Sequence, residues 1–261
     1  MRTNNKVVAL GFIIWALTAL CSCSIKEDRS DCPCYLEIDM SNLVAKEVTL
    51  RGQGQRILFT EQFPTRAFRE FHEYLVPRGQ IRLSAIGDTG HLALSGNALC
   101  IMEGRQMDSL FARSTLVDTR SETAREVLRL NKQFATVSLA FRGTDDGRGG
   151  YDIELSGNVA GVDCMTLEPV TGRFRCLAEA DPEGGFRFRA PRQTDQSLEA
   201  AIYSEGGYVE SIPLGELIAR AGFDWSKEDL GDIRILADLP AHTFTITVMD
   251  WLGPVVMTVT I

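Results

Sequence analysis

Short runs in which apolar and polar side chains alternate, each ended by glycine or proline, recur from residue 36 to the last residue. Leu36, Ile38 and Met40 alternate with Glu37 and Asp39. A period of two sends successive side chains to opposite faces, the pattern of a half-buried strand. Tyr151, Ile153 and Leu155 repeat it, as do Phe244, Ile246 and Val248 between threonines. Gly52, Gly54, Pro77, Gly79 and Gly87 break the first half into short pieces. Thr171-Gly172 marks an expected turn in the second half. Residues 121–130 suit a helical turn or a strand. One segment reads firmly as helix: Leu214, Leu217, Ile218 and Ala221 share a side at helical spacing, and Gly222 ends it. Many short strands with a single helix indicate an all-β chain of two β-sandwich domains. Residues 143–150 hold four glycines and two aspartates, so the domains are expected at 32–145 and 146–261.

The first 31 residues read differently. Arg2 and Lys6 precede an uncharged apolar run over residues 7–20. That run is too short to span a bilayer comfortably and matches the core of a signal peptide. It ends in Leu20-Cys21-Ser22-Cys23, which resembles the lipobox of bacterial lipoproteins. Residues 1–22 are thus an expected signal peptide, and Cys23 the expected lipidation site. Acyl chains then hold the chain at a membrane, each buried methylene contributing about 0.8 kcal/mol. Residues 23–31 are polar and charge-rich, as a solvated linker would be. Within them Lys26-Glu27-Asp28 is similar to the acidic tags that send some lipoproteins to the outer face of the outer membrane.

The formal net charge of -8 argues against a nucleic-acid partner, whose phosphates need a basic surface. Five further cysteines follow Cys23: Cys32, Cys34, Cys100, Cys164 and Cys176. Outside the cytoplasm they are open to oxidation. Cys164 and Cys176 flank the expected turn at Gly172 and are candidates for a disulfide across a hairpin, while Cys100 could pair with Cys32 or Cys34. Cys32-Pro33-Cys34 is one residue tighter than the usual metal-binding Cys-x-x-Cys spacing. No metal or cofactor is expected. His72, His91 and His242 are scattered; Glu70 and Glu73 flank His72 without a nucleophile beside them. No Gly-x-Ser-x-Gly, His-Glu-x-x-His or dinucleotide fingerprint occurs. The chain is not expected to be an enzyme.

At the C-terminal end, Val255, Met257, Val259 and Ile261 share one face of a segment without a charged side chain. Strand edges lacking such protection tend to recruit another backbone, which makes these residues a candidate donor strand; the alternative is an ordinary final strand buried within its own sheet.

Several segments carry a resemblance, in order along the chain. Asp28-Arg29-Ser30-Asp31-Cys32-Pro33-Cys34-Tyr35-Leu36 follows the lipobox. Gly104-Arg105-Gln106-Met107-Asp108-Ser109-Leu110-Phe111-Ala112 and Tyr151-Asp152-Ile153-Glu154-Leu155-Ser156-Gly157-Asn158 come next. Ile212-Pro213-Leu214-Gly215-Glu216, Gly222-Phe223-Asp224-Trp225 and Leu230-Gly231-Asp232-Ile233 complete the series. Together they resemble the FimB-type fimbrial anchor proteins. The resemblance implies an outer-membrane lipoprotein of two transthyretin-like β-sandwich domains. Such a protein sits at the base of a fimbrium built by strand donation, tethers it to the cell and limits its length; the candidate donor strand would then be offered to the last fimbrial stalk subunit. The competing expectation is a surface lipoprotein that binds glycans, with Trp225, Trp251, Tyr203 and Tyr208 as sugar-stacking rings. A structural role in another envelope complex is a third.

Overall fold

Strand formation follows the alternating pattern closely. The computed structural model describes residues 32–67, 71–144, 148, 150–250 and 253–260. The first half of the chain forms β1 (Cys34–Asp39), β2 (Glu47–Gln53), β3 (Ile57–Pro64), β4 (Phe71–Val76) and β5 (Gln80–Gly87). Two short strands follow, β6 (Ala93–Ser95) and β7 (Ala98–Cys100), then β8 (Phe111–Asp118), β9 (Thr123–Val127), β10 (Asn131–Lys132) and β11 (Phe134–Phe141). The second half adds β12 (Asp152–Asp163), β13 (Pro169–Leu177), β14 (Glu179–Ala180), β15 (Phe186–Pro191), β16 (Glu199–Ser204) and β17 (Gly207–Ile212). Helix α1 (Leu214–Arg220) precedes β18 (Asp232–Asp238), β19 (Thr243–Asp250) and β20 (Gly253–Thr260). Residues 121–130 take the strand option, with β9 pairing parallel to β1.

Two cores result. The first lies between a three-stranded sheet, β4-β1-β9, and a five-stranded one, β10-β8-β5-β2-β3. From β1 come Leu36 and Ile38, fully buried, and Met40 follows them; from the facing sheet come Val48, Leu50, Ile81 and Leu83. The second lies between β14-β15-β11-β18-β19-β20 and β17-β16-β12-β7-β6, with β13 on the other edge of β12. Val137, Leu139, Phe188, Ile235 and Ile246 from one sheet meet Ile153, Leu155 and Ile202 from the other. Helix α1 buries Leu214, Leu217 and Ile218 in this core, and Gly222 continues the chain at φ +75, a backbone region that side chains other than glycine rarely adopt. The all-β sandwich expectation is met. The expected division near residue 145 is crossed by three strands: β6, β7 and β11 precede it, yet lie in the sheets of the second core.

One turn differs from expectation. Thr171 and Gly172 lie inside β13, and the β12–β13 hairpin reverses over residues 164–168. The Asp163 carboxylate makes that turn, accepting bonds from the Met165 and Thr166 amides at 2.8 Å each. This is the local side-chain bonding that lets aspartate begin a turn. Gly172 is used for close approach: a Cβ there would sit 2.8 Å from the Cβ of Ala160.

Candidate functional site

Strand β20 occupies the end of the six-stranded sheet and pairs along its whole length with β19, from Asp250↔Gly253 to Thr243↔Thr260. Among the described residues no strand pairs with its other side. Its backbone groups there are available to a further strand, with no charged side chain on β20 to obstruct one. The four candidate donor residues do not behave alike. Val259 faces Phe244 and is buried in the second core. Met257 is 37% exposed and Val255 55% exposed, opposite Ile246 and Val248. Ile261 lies outside the described residues. The strand is thus seated at one end and exposed over most of its length, which periodicity alone does not reveal.

Strand β1 is the opposite case. It lies between β4 and β9 with partners on both sides, and Cys34, Leu36 and Ile38 are fully buried. Cys23, the signal peptide and the linker all lie outside the described residues. Among the described residues no helix is long and apolar enough to cross a membrane.

The expected Cys164–Cys176 disulfide does not form. The hairpin register explains it: Cys176 pairs with Leu155, near the start of β12, whereas Cys164 follows the end of that strand. At about 3.3 Å per residue the two thiols stand roughly 20 Å or more apart along the hairpin. A disulfide tolerates about 7 Å between Cα atoms. Both residues are buried thiols. Burial, helped by Glu179 and Glu154, raises the Cys176 thiol to about 11. Burial also raises Cys164 and, in the first core, Cys34.

The other candidates are dispersed. Nε2 of His72 lies 3.1 Å from the Ala67 carbonyl, and its ring packs 4.3 Å from that of Phe63. Among the described residues no group of three or more His, Cys, Asp or Glu is placed to hold a metal ion. Of the sugar-stacking candidates, Trp225 packs edge-on against Phe223 at 4.7 Å and borders the second core, so its ring is committed to packing. Trp251 lies outside the described residues. Tyr203 and Tyr208 meet edge to face at 5.9 Å on the β16–β17 hairpin, and Tyr208 is 61% exposed.

No protein-family model matches the chain, and no curated protein sequence matches it. Solved structures do share its fold. A candidate polysaccharide-binding protein from Bacteroides thetaiotaomicron is similar with a TM-score of 0.58 at 15% identity, over 87% of this chain and 98% of that one. A candidate adhesin from Bacteroides ovatus gives 0.55 at 14% identity, over 90% and 97%. The fimbrial anchor protein Mfa2 from Porphyromonas gingivalis gives 0.53 at 12% identity, over 84% and 98%. At such identities the likeness is one of fold.

Proposed function

We propose that this chain is a fimbrial anchor or assembly subunit: an outer-membrane lipoprotein, acylated at Cys23 and displayed at the cell surface, that joins a fimbrial stalk by β-strand complementation and so serves cell adhesion. The carrying observation is the geometry of β20, an edge strand with one paired side, no charged side chain and exposed Val255 and Met257. Strand addition at such an edge draws affinity from backbone hydrogen bonds and specificity from alternate side chains. Support comes also from the fold shared with Mfa2, a fimbrial anchor, and from the lipobox-like Leu20-Cys21-Ser22-Cys23. The two ends of the chain then have separate tasks. The N-terminal end is fixed by lipid and enters the fold through a strand held on both sides. The C-terminal end presents the strand whose partners can change. No catalytic role is part of this reading.

The test has two arms in the native host. Cells are fed an alkyne analogue of palmitate, and the chain is purified with whatever is attached to it. The wild type should carry the label and bring down a fimbrial subunit. Cys23→Ala should lose the label, and deletion of residues 253–261 should keep the label but shed the subunit into the medium. An unlabelled wild-type chain sinks the lipid reading, and a truncated chain that still retains its subunit sinks the strand reading.

A further inference from the structure

We propose that the outer face of β13, β12, β16 and β17 is a binding surface for a neutral polysaccharide. The inference does not depend on lipidation or on strand exchange. Its basis is how the hairpin registers align side chains on one solvent-facing surface. Tyr203 stands opposite Asp152 on one side and Tyr208 on the other. Two residues along, Glu154 lies between Leu177 and Ala201; two further, Ser156 lies between Arg175 and Glu199. Rows on one face recur about every 6.7 Å. The tyrosine pair and the Arg175–Ser156–Glu199 row are therefore about 13 Å apart. This is the footprint of an oligosaccharide, not of a single sugar.

Each end of the face offers what a sugar chain requires. At one end the Tyr208 ring is exposed and held in place. Tyr203 packs against it edge to face at 5.9 Å, and the Tyr208 hydroxyl donates to Ser211 Oγ at 3.2 Å. A fixed aromatic ring with an apolar face suits the C–H face of a pyranose, and its ordering penalty is already met in the free protein. At the other end an open groove of about 920 Å³ runs beside Ser156, Asn158, Arg173, Arg175 and Glu199. Arg175 Nε is oriented by Glu154 Oε1 at 3.1 Å, which leaves a planar guanidinium facing solvent in a set position. Planar donors and acceptors of this kind match the paired hydroxyls of a sugar ring.

The charges select among ligands. Arg173 and Arg175 stand among Glu154, Glu199 and Asp152, so the face carries no cationic surplus for a polyanion. Leu177 and Ala201 flank Glu154 on the middle row, and Met102 lies beside the groove, so apolar contact for the C–H faces of sugar rings is spread between polar groups. A neutral polyhydroxyl chain satisfies both constraints.

The experiment uses the full chain in detergent, run through native gels containing mannan, dextran, starch or xyloglucan, with heparin as the polyanion. Retardation is expected with at least one neutral polymer and not with heparin. Tyr208→Ala should weaken that retardation about tenfold, and Arg175→Ala should weaken it in part. Tyr35→Ala, on the first core's exposed sheet face, should leave it unchanged. Because Tyr208 and Arg175 are exposed, both variants should keep the wild-type melting temperature. No retardation by any of the four neutral polymers overturns the proposal. So does a retardation that heparin reproduces, or one that Tyr208→Ala leaves intact.

Discussion

The hydroxyl of Ser84, on the middle strand of the first core's larger sheet, donates to the backbone carbonyl of Cys164, in the turn of the second core's longest hairpin. Ser114, the cross-strand partner of Ser84, does the same for Met165. Ser84 is buried and Ser114 half-buried, so the Ser84–Cys164 bond is the one shielded from water. A buried carbonyl left without its donor loses about 1–3 kcal/mol. Ser84→Ala should lower stability by about that amount, and Ser84→Ala with Ser114→Ala should go further and uncouple the cores. Calorimetry tests this: one unfolding transition is expected for the wild type and two for the double variant. A single transition in both would mean that other contacts hold the cores together.

The buried thiols give a chemical prediction. With Cys176 raised to about 11 by burial and two nearby carboxylates, almost none of it is thiolate at pH 8, and thiolate is the reactive form. Iodoacetamide at that pH should leave Cys164 and Cys176 unmodified in the native protein and alkylate both in denaturant. Peptide mapping without reductant should find no Cys164–Cys176 link. A linked peptide from native material would contradict the β12–β13 register itself.

Why the register escaped sequence reading is a matter of which signal competes. Thr171-Gly172 looks like a turn because glycine and a small polar neighbour usually mark one. Here Gly172 serves a different need, the close passage of Ala160 on the facing strand. The true turn had a signal in Asp163, whose carboxylate caps two following amides, but it begins inside an apolar run and so reads as strand. Where local pattern and burial agree, the reading held: Leu36, Ile38 and Met40 line the first core, and Leu217 and Ile218 turn α1 inward. The uncharged alternation of β20 was legible too. Its exposed edge was not, since only pairing across the sheet decides which strand comes last. The placement of β7, and of β6 paired to it, was hidden for the same reason, as was that of β11: β7 joins β12, and β11 joins β15 and β18, far along the chain.

A pH dependence follows from Asp232, at the start of β18. Burial opposes its charge, but Lys132 Nζ and the Thr136 amide, 2.9 Å from Oδ1, more than offset this, so its carboxyl titrates below the ordinary range. A carboxylate whose pKa is lower folded than unfolded adds stability above its unfolded value, about 3.9. That contribution fades as pH falls through the folded value. Asp232→Asn should therefore be less stable than wild type at pH 7. The side chain is half exposed, which limits the difference to about 1 kcal/mol. Urea melts at pH 7 and pH 3 check it: the gap should narrow at the lower pH. A gap of equal size at both would show that the charge is not its source.

The two end strands should differ sharply in what their loss does. Removing the Leu36 or Ile38 side chain empties a fully buried site on a strand paired on both sides. Leu36→Ala and Ile38→Ala should each destabilise by about 2–5 kcal/mol. On β20 only Val259 is buried, so Val255→Ala and Met257→Ala should each stay within about 0.5 kcal/mol, the range of ordinary surface changes. Hydrogen exchange offers an independent reading of the same contrast. Amides bonded on an edge with exposed neighbours open locally, whereas those of a central strand open only with the core. The amides of β20 should exchange well before those of β1. Equal protection of the two strands would mean that β20 is as firmly held as the core, and a strand so held could not change partners without unfolding the sheet that carries it.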